Sequence, residues 1–225
     1  MAIADTLRFA PPHPAARPFL VAGAVLFLLG LLISHWLAWL AFVFILLCLF
    51  FFRDPDRVPP PRRDAMLAPA DGRVLEVALA RPPAELGLGD TARWRVATFL
   101  SIFDVHVNRI PVHGTVTRIA YRHGGFLNAA NPEAGDRNER NAIAIRLADG
   151  REIAVVQIAG MIARRIVCSV REGDAVGAGE RFGIIRFGSR TDLYLPEGGE
   201  PLVTEGQTMI GGETVVALLG TGAAG

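Results

Sequence analysis

The longest uncharged run in this sequence constrains its fold more than any other feature. Residues 18–52 carry no formal charge and are mostly Leu, Phe, Val, Ala and Trp. A straight helix over this run would measure about 50 Å, well beyond the ~30 Å hydrocarbon core of a bilayer. Two membrane helices folded into a hairpin fit this length better, and a single tilted span is the alternative.

Arginines flank the apolar run on both sides and predict its orientation. Because basic residues accumulate on the cytoplasmic side of a membrane, both ends of the hairpin and the tail 1–17 are expected in the cytoplasm. A cleaved signal peptide fits poorly, since its apolar core would be about 7–15 residues long and a small-residue cleavage site would follow. We therefore expect a retained anchor at the cytoplasmic face of the cell membrane. The flanking arginines are Arg8, Arg17, Arg53, Arg57, Arg62 and Arg63.

Composition excludes several classes of function. The chain has 225 residues, of which 51% are hydrophobic, and its net charge of +1 gives no basic face for nucleic acid. Cys48 and Cys168 form neither a metal-ligand spacing nor a disulfide framework, which favours a reducing compartment and no metal. All 23 basic residues are arginine, so no lysine can hold pyridoxal phosphate or a carbonyl substrate as an imine.

The rest of the chain reads as a separate, mainly β domain. A Pro- and Arg-rich linker over residues 53–65 separates the anchor from a globular part at 66–225. Short Val- and Ile-rich runs punctuated by glycine predict a compact antiparallel sheet or barrel-like domain with little helix. Residues 142–147 and 152–157 flank an Asp149-Gly150 pair, which is typical of a β-hairpin turn.

A weak internal repeat predicts two similar turn–strand units. Glu-Gly-Asp-Ala-Val at 172–176 is echoed by Glu-Gly-Gln-Thr-Met at 205–209, and an apolar run follows each. Lipoyl and biotinyl carrier domains contain a similar pattern. Their carrier lysine is missing here, which excludes a swinging-arm function.

Four short stretches carry a resemblance to a known family. In order, they are Pro-Ala-Asp-Gly at 69–72, Phe-Asp-Val-His-Val-Asn-Arg-Ile-Pro at 103–111, Phe-Leu-Asn-Ala at 126–129, and Gly-Glu-Arg-Phe-Gly at 179–183 running on to Phe-Gly-Ser at 187–189. With the anchor and the absence of lysine, the chain resembles phosphatidylserine decarboxylases of the short, membrane-associated bacterial type. The stretches span nearly the whole globular part.

The resemblance implies a proenzyme that cuts itself between Gly188 and Ser189. Ser189 would attack the Gly188 carbonyl, and elimination would leave a pyruvoyl group at residue 189 and two associated chains, 1–188 and 189–225. The pyruvoyl ketone would form an imine with the substrate amine and replace pyridoxal phosphate as the electron sink. Phosphatidylserine would become phosphatidylethanolamine, as a step of phospholipid biosynthesis.

Further residue roles follow from the same resemblance. His106 is the predicted base and proton donor, and Asp71 the carboxylate that orients it, by the logic of acid, base and nucleophile. Longer bacterial members have a second histidine where this chain has Arg109. Either His106 serves both processing and decarboxylation, or His113 or His123 enters the site.

Arginines are the candidates for the substrate phosphate, because a guanidinium can grip phosphate oxygens with two hydrogen bonds. The three candidates are Arg109, Arg164 and Arg165.

Other functions remain open at this point. A related lipid such as archaetidylserine, or a soluble serine derivative, would keep the chemistry and change the substrate. A membrane-tethered adaptor without catalysis and a serine hydrolase are further alternatives, although the Gly-x-Ser-x-Gly elbow of many hydrolases is missing. The sequence leaves the acyl-chain preference and the oligomeric state open, a homo-oligomer included.

Overall fold

A computed structural model describes residues 10–161, 165–186 and 188–220. The described residues divide into two compact units: one holds residues 10–56 with Phe103–Val105, and the other holds Arg57–Ile102 and the described residues from His106 to 220. The helices are α1 (Arg17–Ile33), α2 (His35–Phe51) and α3 (Ala134–Arg137), with 3-10 turns at Pro14–Ala16 and Ala84–Leu86. The strands are β1 (Ala65–Leu67), β2 (Gly72–Ala80), β3 (Arg93–Leu100), β4 (Val107–Arg109), β5 (Gly114–Arg122), β6 (Arg140–Arg146), β7 (Glu152–Ala159), β8 (Ile166–Cys168), β9 (Ala175–Val176), β10 (Arg181–Ile185), β11 (Ser189–Tyr194), β12 (Thr208–Met209) and β13 (Val215–Leu218).

The first unit is built on the two apolar helices. They meet at Ser34, which is extended and ends α1. A Cβ on Gly30 would lie 2.4 Å from the backbone nitrogen of Ala38, and one on Gly23 would lie 2.7 Å from the side chain of Ile45. Glycine therefore lets α2 fold back closely along α1. Over the described residues, one helix, Pro14–Ile33, is long and apolar enough to cross a membrane, and α2 is a shorter apolar helix.

The second unit is mainly antiparallel β-structure, which confirms the predicted fold class. Its largest sheet is curled into a half-barrel and has the strand order β12-β2-β3-β11-β7-β6-β5-β9. Two smaller sheets have the orders β4-β10-β8 and β1-β13. Alternation of side chains along the strands sends one set into the main core, where Leu193, Val155 and Ile143 pack together.

The predicted Asp-Gly hairpin is confirmed between β6 and β7. Arg146 lies opposite Glu152, and the Leu147 amide donates to the Arg151 carbonyl at 2.8 Å. Gly150 has a φ of +86°, a left-handed conformation that glycine adopts without steric cost.

The internal repeat is confirmed as two turn–strand units at the two edges of the large sheet, formed by β12 and β9. The Gly206 amide donates to the Val74 carbonyl at 2.8 Å, and the Gly173 amide donates to the Val116 carbonyl at the same distance. Each bonded strand has a bulge immediately after that valine. The sheet therefore consists of two similar halves: the first half is β12-β2-β3-β11 and the second half is β9-β5-β6-β7.

Candidate active site

Ser189 begins β11, at the centre of the large sheet. It lies opposite Leu100 of β3 on one side and Ala159 of β7 on the other. The residue is fully buried, and its hydroxyl has no hydrogen-bond partner within the part of the chain that the structure describes. A buried hydroxyl without a partner costs roughly 1–3 kcal/mol, so its retention needs a reason beyond packing.

Gly188 has the conformation that the predicted cleavage requires. Its φ of +64° is left-handed, and a Cβ built there would meet no described atom within 4 Å. The demand for glycine is therefore conformational, since there is space for a side chain but the backbone angle would strain one.

Gly160 approaches the carbonyl of Gly188 more closely than any side chain would permit. A Cβ on Gly160 would lie 2.1 Å from the Gly188 carbonyl oxygen. This residue follows directly after β7, where Ala159 is paired with Ser189. Sequence reasoning missed Gly160, because the only local signal is one more glycine at the end of an apolar run.

The Phe-Leu-Asn-Ala stretch at 126–129 lies beside the same point. The side chain of Asn138 donates to the carbonyls of Leu127 and Ala159, at 2.8 and 2.7 Å, and accepts from the Leu127 amide at 2.8 Å. The Ala129 methyl lies 3.4 Å from a Cβ built on Gly160. Asn138, which the sequence analysis did not single out, thus fixes the 126–129 stretch against the strand end next to Ser189.

His106 lies against the residue before the predicted nucleophile. It is fully buried, and its Nε2 accepts a hydrogen bond of 3.4 Å from the amide of Gly188. A ring nitrogen that accepts a hydrogen bond carries a lone pair, and such a nitrogen can take up a proton. The structure therefore brings His106, Gly188 and Ser189 together.

Asp71 has well-defined partners in the second unit. Its carboxylate accepts from the Arg57 guanidinium at 2.6 Å and from the Gly211 amide at 2.8 Å. The ion pair with Arg57 fastens the linker to the Pro-Ala-Asp-Gly stretch. The orientation of His106 by Asp71 stays a prediction.

The arginine candidates lie in different environments. Arg109 is buried and donates to the Gly179 carbonyl at 2.9 Å, which gives it a structural bond. Arg165 lies next to Arg186, whose backbone amide donates to the Arg165 carbonyl at 3.4 Å. Burial and the positive charge of Arg165 lower the pKa of the Arg186 guanidinium. Arg164 lies outside the described residues.

The two alternative histidines lie in exposed positions. His113 accepts a hydrogen bond of 3.4 Å from the Ala178 amide in a turn. His123 lies 3.8 Å from the Glu139 carboxylate and packs edge-on against Tyr121. Tyr121 donates a short hydrogen bond to the same carboxylate, and burial and this bond raise the pKa of Tyr121 to about 12.

Comparison with known proteins gives one consistent family. The sequence model described as phosphatidylserine decarboxylase matches residues 44–217. The chain is 71% identical to a phosphatidylserine decarboxylase proenzyme of Granulibacter bethesdensis over 92% of this chain and 85% of that protein. It is 60% identical to the proenzyme of the same name from Gluconobacter oxydans over 95% and 96% of the two chains, and 59% identical to that from Gluconacetobacter diazotrophicus over 95% and 96%.

Proposed function

This chain belongs to the phosphatidylserine decarboxylase family, and on that premise we propose that it matures by cutting itself between Gly188 and Ser189. Membership makes it a carboxy-lyase proenzyme that decarboxylates phosphatidylserine. The adaptor and hydrolase alternatives are therefore set aside. The proposal extends to the residues that carry out cleavage, to the pyruvoyl group it creates, and to the membrane surface as the place of reaction.

The observation that carries the proposal is the buried hydroxyl of Ser189, which has no partner among the described residues and directly follows a left-handed glycine. A serine that served only the fold would pair its hydroxyl or be replaced by alanine, since the unpaired group is costly. A nucleophile, in contrast, needs an uncommitted oxygen. A Cβ built on Gly188 meets no described atom within 4 Å, and this open space beside the glycine gives that oxygen an approach path.

Cleavage proceeds in three chemical steps. Ser189 Oγ forms a bond to the Gly188 carbonyl carbon while His106 takes the hydroxyl proton. His106 then gives this proton to the Ser189 nitrogen as the amide bond to that nitrogen breaks. Removal of the Cα proton of residue 189 then expels Gly188 as a carboxylate. Water converts the remaining dehydroalanine to a pyruvoyl group and releases ammonia.

The residues around position 189 fit such a group. Every residue of β11 is paired with both β3 and β7, so the strand stays in place after its connection to Gly188 is cut. Buried Arg190 also binds Asp192 through two hydrogen bonds of 2.6 and 2.8 Å. The backbone pairing of β11 with β3 and β7 keeps residues 189–225 associated with 1–188. The pyruvoyl ketone supplies the electrophile for the substrate amine and the sink for electrons released with carbon dioxide.

We assign the substrate phosphate to the neighbourhood of Arg165 and Arg186. Burial and the positive charge of Arg165 lower the pKa of the Arg186 guanidinium, so a bound anion would stabilise this pair of arginines. Arg165 and Arg186 lie between Gly160 and Ser189 in the sequence, and a backbone hydrogen bond of 3.4 Å joins them. A phosphodiester would neutralise their repulsion and receive bidentate hydrogen bonds.

The apolar helices would hold the enzyme on its lipid substrate. The long apolar helix is compatible with membrane association. We expect the double variant Leu28→Arg/Leu40→Arg to lose binding to anionic phospholipid vesicles in flotation, because charge in an apolar bilayer is costly. Leu79→Arg is the matched control, since all three side chains are 61–62% exposed. Vesicle binding by the double variant at the wild-type level would disprove the anchor.

Intact-mass spectrometry of the denatured protein tests the proposed maturation. We expect a fragment 1–188 and a fragment 189–225 that is lighter than its serine form by one ammonia. A hydrazide reagent should label only the second fragment, because only that fragment carries a ketone. A single full-length mass from folded protein that decarboxylates phosphatidylserine would contradict self-cleavage.

A further inference from the structure

A row of buried polar side chains crosses the inner face of the large sheet, one step away from Ser189. Ser189, Thr191 and Leu193 share one face of β11, and Leu193 belongs to the main core. Thr191 lies opposite Thr98 on β3 and Gln157 on β7. The row is thus enclosed between the apolar core and the residue that is cut.

Two amide side chains in this row and a third on β4 of a neighbouring sheet form a series of hydrogen bonds that all run in one direction. Asn141 Nδ2 donates to Gln157 Oε1 at 2.9 Å, and Gln157 Nε2 donates to Asn108 Oδ1 at 2.8 Å. A Cβ on Gly183 would lie 2.8 Å from that Gln157 nitrogen, so glycine keeps the path open. Because Asn108 Oδ1 accepts the second of these hydrogen bonds, Asn108 Nδ2 is the last donor of the series.

The last donor and both threonine hydroxyls are left without partners in the described part of the chain. Asn108 Nδ2, Thr98 Oγ1 and Thr191 Oγ1 are buried and form no hydrogen bond to any residue that the structure describes. All three residues have no exposed surface. Each such group costs roughly 1–3 kcal/mol, and three at or next to one row indicate a site built for oxygen acceptors that arrive from outside.

The distance between this row and position 189 matches the distance from the amine of an amino acid to the hydrogen-bond partners of its carboxylate. Along a strand, residues two apart are separated by about 7 Å. In an amino acid the carboxylate oxygens lie about 3 Å from the amine, and a hydrogen bond adds about 3 Å. His106 and Asn108 repeat the same spacing on the neighbouring segment, since His106 contacts Gly188 and Asn108 contacts Gln157.

We propose that Thr98, Thr191 and Asn108 form the subsite for the carboxylate of the substrate's serine, the group lost as carbon dioxide. The proposal rests on the proposed function, because it takes the substrate amine to be held at residue 189. These donors are neutral, and this suits the reaction. A cation would stabilise the carboxylate most in the ground state, because the negative charge moves away from the carboxylate as the transition state forms. Neutral donors orient the carboxylate without that penalty.

The test removes one hydroxyl at a time and compares two lipids. Thr191→Val and Thr98→Val keep the side-chain shape and delete the unpaired oxygen. We expect each to lower kcat/KM for phosphatidylserine about tenfold or more, because a hydrogen bond to a charged group is lost. Phosphatidylethanolamine has the amine but no carboxylate. The amount of this lipid trapped on residue 189 by borohydride should therefore stay at the wild-type level.

A second measurement is the melting temperature of both variants, which should equal or exceed that of the wild type because an unsatisfied group has been removed. The control is Thr115→Val, the same exchange at an exposed strand position. Wild-type turnover of phosphatidylserine, equal losses with both lipids, loss of self-cleavage or loss of fold would each overturn the subsite. Failure of the wild type to yield the 189–225 fragment would instead overturn the proposed maturation.

Discussion

The two halves of the large sheet have the same construction but end differently. In the first half, Leu100 of β3 lies opposite Ser189 of β11. In the second half, the corresponding Leu147 bonds to Arg151, and a short turn joins β6 to β7. Both ends contain a left-handed glycine, Gly188 with φ +64° and Gly150 with φ +86°. In the first half, residues 101–188 separate the two strands in sequence.

The comparison shows what a reactive end requires beyond backbone conformation. Gly150 lies in an exposed, hydrogen-bonded turn, and no catalytic group was predicted there. Gly188 instead contacts the His106 imidazole through its amide and Gly160 through its carbonyl, and a buried hydroxyl follows it. The left-handed glycine is therefore necessary for a sharp strand end, while the neighbours from 101–188 create the chemistry.

The largest effect is expected from Ser189→Ala, which makes the first strand end as inert as the second. This variant should remain a single full-length chain without decarboxylase activity, because the attacking oxygen is gone. Intact-mass spectrometry checks the result. Arg151→Ala, at the corresponding position of the second half, should be cleaved normally. Cleavage of Ser189→Ala after residue 188 would remove Ser189 as the nucleophile.

His106→Ala should slow self-cleavage about 10²-fold or more, the usual contribution of a general base. The rate can be followed by gel electrophoresis after cell-free synthesis of the chain. His113→Ala is a suitable control because that histidine lies in an exposed turn. A normal cleavage rate in His106→Ala would mean that His106 is not the base of self-cleavage.

Gly160→Ala should slow cleavage about tenfold or more. The new Cβ would lie only 2.1 Å from the Gly188 carbonyl oxygen, so this carbonyl would have to move. Gly150→Ala provides the contrast, with open space around its Cβ but a left-handed backbone. It should lower the free energy of unfolding by about 1 kcal/mol and leave cleavage unchanged. Pulse-labelling and urea unfolding separate the two outcomes, and equal cleavage rates would argue against a role for the close approach.

The smallest effect concerns the symmetric edges of the sheet. Glu172 accepts from the Ile119 amide at 2.8 Å, and Glu205 accepts from the Val77 amide at 3.4 Å. Glu172→Ala should lower the free energy of unfolding by about 1 kcal/mol, and Glu205→Ala by less, because the longer bond is weaker. Urea unfolding of both variants in the Ser189→Ala background gives the comparison. A larger loss of unfolding free energy in Glu205→Ala than in Glu172→Ala would show that these two hydrogen-bond lengths do not determine the stability of the two edges.

Local patterns were sufficient for much of the fold. The alternation in β6 and β7, the Asp149-Gly150 turn and the Glu-Gly repeat are signals carried by neighbouring residues. Each was predicted correctly because side-chain periodicity and turn conformation act over a few positions. The predicted Gly188-Ser189 pair depended on a family resemblance, since the dipeptide alone is an ordinary turn.

The amino-acid sequence by itself determined the mainly β fold, the apolar N-terminal segment and the family, because these depend on composition, periodicity and ordered short motifs. Only the tertiary structure decided which distant residues meet. Gly160 reaches Gly188, Asn138 fastens the 126–129 stretch, and Asn108 joins Gln157 across two sheets. Such contacts follow from strand register and sheet curvature, which single residues in sequence do not encode, and they place unpaired donors beside the residue that reacts.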